Sequence, residues 1–151
     1  EEGGEMSLLG AHLEVVTKLF LFMNNVVVNR LMSSATSASD AFYIKHCLTS
    51  LSTFAKTTDE RYAKNYEQAL QSFQALTQAS NVLIVNKNLP KEKSFISELT
   101  YCQLYQLLDT FQPDQLDPHP VPPETKSQVL IKALEEKRTR AKHLFSLLDE
   151  D

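Results

Sequence analysis

The sequence predicts an all-α domain: an irregular antiparallel bundle of about five helices, the last joined by a proline-rich connector. Three observations predict it. Gly3, Gly4 and Gly10 are the only glycines in 151 residues, so the rest of the chain lacks the residue that best supplies the positive φ angles of tight hairpins. Large apolar residues recur at spacings of three and four, the helical rhythm, and not at spacings of two. Five of the six prolines fall in residues 113–123, which leaves the remaining stretches almost free of helix breakers.

The first helix contains the most apolar stretch, KLFLFMNNVVVNRLM, residues 18–32. A membrane span needs roughly 20 nearly unbroken apolar residues. Residues 13–32 include Glu14, Lys18, Asn24, Asn25, Asn29 and Arg30, so a bundle helix is expected and not a span. Leu9, Leu13, Val16, Phe20, Met23, Val27 and Leu31 form one apolar row. Val15, Leu19, Phe22 and Val26 form a second beside it. Together they predict a wide buried face touching two neighbours. Glu14 and Lys18 are spaced to pair across one helical turn. Residues 1–6 read as an acidic, flexible tail. Val26, Val27, Val28 and the pair Asn24-Asn25 are poor helix formers; an unbroken helix is expected, and this is the point at which it would otherwise kink or break.

SSATSAS, residues 33–39, has no periodicity and reads as a loop, with Ser39 or Asp40 as cap of the second helix. That helix runs to about Lys56 on a stripe of Ile44, Cys47, Leu48, Leu51 and Phe54. Thr57 and Glu60 have the capping-box spacing, so a third helix begins there. It carries Tyr62, Tyr66, Ala69, Phe73, Leu76 and Leu83 on one face, interrupted by Ser80, and VLIV at 82–85 reads as its end. Residues 86–90 form a second loop. The fourth helix is expected from Lys91 or Ser94 to Gln112, apolar over so much of its circumference that it belongs at the centre. After the connector, Pro123 or Glu124 opens a last helix ending near Leu148, with Leu130, Leu134, Ala141, Leu144 and Leu148 as its stripe.

What is missing constrains function. No GxxxxGK, GxGxxG or GxSxG occurs, so phosphate loops, dinucleotide folds and the nucleophile elbow are excluded. His12, His46, His119 and His143 have no histidine or cysteine three or four residues away, so no structural metal is expected. His46 and Cys47 are adjacent, hence about 100° apart on a helix, and Cys47 reads as a core thiol. Cys47 and Cys102 are too few for a disulfide scaffold and read as free thiols of a reducing compartment. No catalytic set and no cofactor site is assigned. Lys137, Arg138, Arg140 and Lys142 form a basic cluster interleaved with Glu135 and Glu136. The net charge of −4 gives no pull towards nucleic acid.

The expected function is therefore a non-enzymatic helical protein–protein interaction module, one piece of a larger intracellular scaffold or adaptor, cytoplasmic or nuclear. The partner is another protein, bound through an amphipathic helix or an acidic segment. Phe20, Lys137, Arg138, Arg140, Leu144 and Leu148 are the partner-binding candidates, since terminal helices most often leave a face uncovered. Two alternatives stand beside it. One is a small-molecule-binding or catalytic bundle using Tyr101, Tyr105, His46 or Cys102. The other is a binder of nucleic acid or anionic membrane through the last helix.

Overall fold

A computed structural model describes residues 2–85 and 96–148, with side chains described at 3–4, 7–85 and 96–142. Six α-helices follow in order: α1 Glu2–Ser33, α2 Ala38–Thr57, α3 Glu60–Leu70, α4 Gln74–Ile84, α5 Tyr101–Thr110 and α6 Pro123–Leu148. A single 3-10 turn, Gln71–Phe73, joins α3 to α4, so the two make the one expected third helix with a dislocation in it. No strand is present among the described residues. The bundle is all-α, as the missing glycines predict.

α1 runs unbroken through the asparagine pair, and the reason is tertiary. The 3-10 turn leaves α4 starting after Phe73, which offers no side-chain cap. The third amide of α4, Leu76 N–H, instead donates to Asn24 Oδ1 at 3.1 Å. Asn24 is buried, 4% exposed. It therefore acts as an N-cap supplied by another helix, filling one of the donors every helix start leaves open. Asn24 Nδ2 donates to Asn25 Oδ1. Ser80, the expected interruption, is fully buried and donates to the Leu76 carbonyl one turn back. Neither polar residue breaks its helix because each has its partner.

The core joins one side of every helix. Val16, Phe20, Val28 and Leu31 come from α1, Ala38 and Ala41 from α2, Ala69, Phe73, Leu76, Ala79, Val82 and Leu83 from the α3–α4 run, Leu104, Leu107 and Leu108 from α5, and Val129 from α6. α1 packs on α3, α4 and α5, α2 on α3 and α4, and α6 on α5. α5, expected at the centre, touches α1, α4 and α6, the same number of helices as α1 and α4 do, and it is α5 that ties α6 to the bundle.

Boundaries follow local chemistry. α2 starts at Ala38, capped by Ser37 and not by Ser39 or Asp40: Ser37 Oγ accepts from Asp40 N–H while Asp40 Oδ2 accepts from Ser37 N–H, a reciprocal box. Asp59 caps α3, accepting from Arg61 N–H, in place of Thr57. α5 starts at Tyr101, later than expected, because Thr100 and Gln103 form a second reciprocal box there. The expected loop at 86–90 and helix start at 91–94 lie outside the described residues. α1 begins at Glu2, within the stretch that reads as a flexible tail. Gly3, Gly4 and Gly10 sit with nothing within 4 Å of where a Cβ would be, so they mark exposed helix surface and not tight turns.

Two non-local ties close the bundle. Thr36 pairs with Phe111 in a lone parallel bridge: Thr36 N–H donates to the Thr110 carbonyl at 3.2 Å and Gln112 N–H to the Thr36 carbonyl at 2.7 Å. Asp114 then turns its carboxylate onto the start of α2, accepting from Ser39 N–H, and onto its own loop, accepting from Leu116 and Asp117 N–H. The Ser39 hydroxyl first, then the Asp117 and Ser39 amides and the Ser37 side chain, hold its carboxyl well below the usual carboxylate range. These bonds fix where the proline-rich connector departs.

Candidate interaction surface

α1 is apolar on two sides, and only one is covered. Val16, Phe20, Val28 and Leu31 are buried. The second row, expected inside, is outside: Val15 is 66% exposed, Leu19 52%, Phe22 66% and Val26 50%, with Leu8 at 63%. At 100° per residue these five fall on one narrow stripe, roughly opposite the buried row and ~27 Å long. Met23 flanks it, also exposed, and exposed Leu21 lies apart, beyond the polar line of Glu14 and Lys18. Glu14 and Lys18 pair beside the stripe, and the Lys18 hydrogen bond and charge lower the Glu14 pKa.

By length and composition α1 is also the one helix, among the described residues, able to cross a membrane: Ser7–Ser33 has a mean hydropathy of 1.3. Its inward side makes that a poor description. His12 lies against the rings of Tyr62 and Tyr66 of α3, at centroid distances of 4.5 and 5.3 Å. Asn65 Nδ2 donates to the Leu9 carbonyl and faces His12 Nδ1 at 3.1 Å. Phe20 lies 5.1 Å from Phe73 and 6.5 Å from Tyr66. Withdrawing α1 would dismantle the core and strip Leu76 N–H of its acceptor.

Phe20 is therefore corrected as a partner-binding candidate: at 7% exposed it belongs to the core. Its neighbours Leu19 and Phe22 take its place. Sequence periodicity finds both rows but does not say which row a neighbouring helix covers. Cys47 is a second correction. The expected core thiol is exposed, because the small Ala38, Ala41 and Ala55 bring α2 in along a different line and turn Tyr43 and Cys47 outward, while Phe54 is half exposed with its ring edge-on to Tyr66 at 5.3 Å.

α6 is the other half-covered helix. It lays Val129 and Ala133 inward, 6% and 4% exposed, and leaves Leu130, Ile131 and Leu134 at 38%, 57% and 58%. Its fastening to α5 is polar as well. Tyr101 N–H, the first amide of α5, donates to Glu136 Oε2 at 2.9 Å, a carboxylate placed on a helix N-terminus. Lys126 reaches Asp109, and Lys132 lies over the Tyr101 ring at 5.3 Å. Glu136 also pairs with Arg140 at 2.9 Å, so Arg140 is partly engaged inside the fold. Lys137 and Arg138 are exposed and enter no ion pair among the described residues. Leu144 and Leu148 lie on the last turns of α6, with side chains outside those described.

Of the residues of the small-molecule alternative, Tyr101, Cys102 and Tyr105 share about one turn of α5, and His46 is on another helix. His46 is exposed on α2, Tyr105 packs on the core, and the Cys102 thiol donates to the Ala133 carbonyl. Tyr101 lines an open depression of about 500 Å³ with Lys132, Glu135, Glu136, Thr139 and Arg140, a mixed-charge surface and not an enclosed pocket. No group of three or more His, Cys, Asp or Glu is placed to hold a metal among the described residues.

Residues 14–115 match the family model of the DIL domain. No curated protein and no solved structure matches the chain.

Proposed function

The chain belongs to the DIL-domain family, and on that premise we propose that it is a non-enzymatic protein-interaction module, one part of a larger intracellular scaffold or adaptor. DIL domains are helical domains of myosin-cargo-binding proteins, which supports a protein partner and an intracellular setting. The two free cysteines agree with a reducing compartment.

One observation carries the reading: the outer stripe of α1. An exposed apolar row facing away from its own core is a surface to be covered, because contiguous apolar patches are rare on proteins with nothing to bind. Its spacing, Leu8, Val15, Leu19, Phe22, Val26, is that of anchors an amphipathic helix presents to a groove or to another helix. A fully exposed phenylalanine covers roughly 200 Å². Covering the two-thirds of Phe22 now in water stabilises a complex by about 3 kcal/mol before the costs of association.

The test is affinity capture from cell lysate by the wild-type chain and by the double variant Leu19→Asp, Phe22→Asp. Both residues are exposed, so far-ultraviolet dichroism should be unchanged. Specific partners captured by the wild type and lost by the folded double variant support the reading. Identical capture by both removes α1 as the binding surface.

A further inference from the structure

We propose that the outer face of α6 is a second docking site, and that its occupant is an acidic amphipathic helix of a partner protein. This rests on the interaction-module reading and names one partner chemistry for it. Along α6, Leu130, Leu134 and Ala141 fall on one line at 100° per residue, with Ile131 beside it. Lys137 borders the line on one side and Arg138 on the other. An apolar ridge between two rails of positive charge complements a helix with leucine-like anchors at i, i+3, i+4 and i+7 and carboxylates on both flanks.

The charge distribution points the same way. Residues 130–142 hold five cations, Lys132, Lys137, Arg138, Arg140 and Lys142, against Glu135 and Glu136, a net +3 in a chain whose total is −4. Glu136 is turned inward and spent on the first amide of α5 and on Arg140. With Lys132 over the Tyr101 ring and Arg140 paired with Glu136, the outer side keeps Lys137, Arg138 and Lys142 against Glu135, a local net charge of +2, while residues 6–129 are net −1. A local positive field of this kind favours the encounter with an acidic partner.

A nucleic-acid occupant would gain nothing from the three exposed aliphatic side chains and would want aromatic residues among the cations. An anionic bilayer would cover a wider strip of α6, including the exposed carboxylate of Glu135 at the edge of the ridge. A partner helix covers only the ridge and its rails. The family match ends at residue 115, and α6 begins at Pro123, so this surface lies outside the matched domain.

The experiment uses the full chain and a fluorescein-labelled synthetic helix with leucines at i, i+3, i+4 and i+7 and glutamates beside them, followed by anisotropy at increasing salt. The acidic peptide should bind saturably and weaken as salt rises. K137E/R138E should weaken it about tenfold or more, as should L134D, while K56E/K64E, the same change of net charge at exposed residues of α2 and α3, leaves it unchanged. Four outcomes overturn the proposal: no saturable binding; equal binding of a peptide with lysine for glutamate; equal binding of an acidic peptide with serine for leucine; or K137E/R138E impairing binding to anionic vesicles but not to the peptide. The α1 variants are read in the lysate capture, so either surface can fail while the other stands.

Discussion

Phe20 and Phe22 are two residues apart, identical in chemistry and opposite in circumstance, and truncating each to alanine separates core from surface. Phe20 is 7% exposed and Phe22 66% exposed. Phe20→Ala removes a buried ring that packs on Phe73 and Tyr66. The lost transfer energy is about 3 kcal/mol, and the cavity and the lost ring pairing raise the expected cost to about 3–5 kcal/mol. For a chain of this size each kcal/mol lowers Tm by roughly 2–4 °C, so a drop of about 6–20 °C is expected. Phe22→Ala should stay within about 0.5 kcal/mol of wild type. The assay is urea unfolding followed by dichroism, comparing midpoints at constant slope. Total stabilities of domains run about 5–15 kcal/mol, so Phe20→Leu serves as the milder companion should the alanine variant fail to fold. Equal losses at the two positions, or a larger loss at Phe22, would refute the assignment of the α1 faces and the interaction surface with it.

Asn24→Ala should cost about 1–3 kcal/mol, because Leu76 N–H is left buried without an acceptor. Its specific mark is faster hydrogen exchange at the Leu76 amide, and unchanged exchange there would refute the cap between helices. Asp59 has its carboxyl lowered from 3.8 to about 2 by the Arg61 side chain, then by the Arg61 amide. A folded-state pKa below the unfolded one gives stability that is present above pH 4 and lost as pH falls through 2. Asp59→Asn keeps an acceptor at the cap but should flatten the thermal stability profile between pH 4 and 2. A wild-type slope in the variant would show that the linkage lies elsewhere. Asp114→Ala should lower Tm at neutral pH by freeing the amides of Ser39, Leu116 and Asp117, measured by thermal scan; an unchanged Tm would show that the connector is not pinned there.

The elements were legible where the cause is local. Glycine starvation and the three-and-four rhythm suffice for an all-α bundle. Reciprocal boxes at Ser37–Asp40 and Thr100–Gln103 are written in adjacent residues, yet spacing alone also admitted Ser39, Asp40 and Thr57, which the fold does not use as caps. What stayed illegible is non-local. Asn24 looks like a helix breaker until Leu76 N–H arrives from a distant segment. Thr36 and Phe111 have no pattern that announces a bridge. The burial of Phe20 and the exposure of Leu19 and Phe22 depend on where α3, α4 and α5 lie, since a helix with two apolar rows carries no mark of which one its own chain will cover.

The same logic separates the two uncovered faces. α1 is fastened along its inner side, where its inner row, its asparagine and its histidine all contact α3 and α4. A stripe backed in this way is expected to lose little entropy on binding. α6 is held differently, by Val129 and Ala133 packed on α5, by Glu136 on the α5 amide and by Lys126 near Asp109, at the end of an extended, proline-rich tether. Of these only Lys126–Asp109 is an ion pair, exposed enough for salt to weaken it, while Glu136 accepts from a part-buried backbone amide. An acidic partner helix at Lys137 and Arg138 competes for the same field that holds Glu136 against Arg140. The hold of α6 on the bundle is accordingly expected to depend on ionic strength through Lys126–Asp109, and the apolar packing of α1 is not.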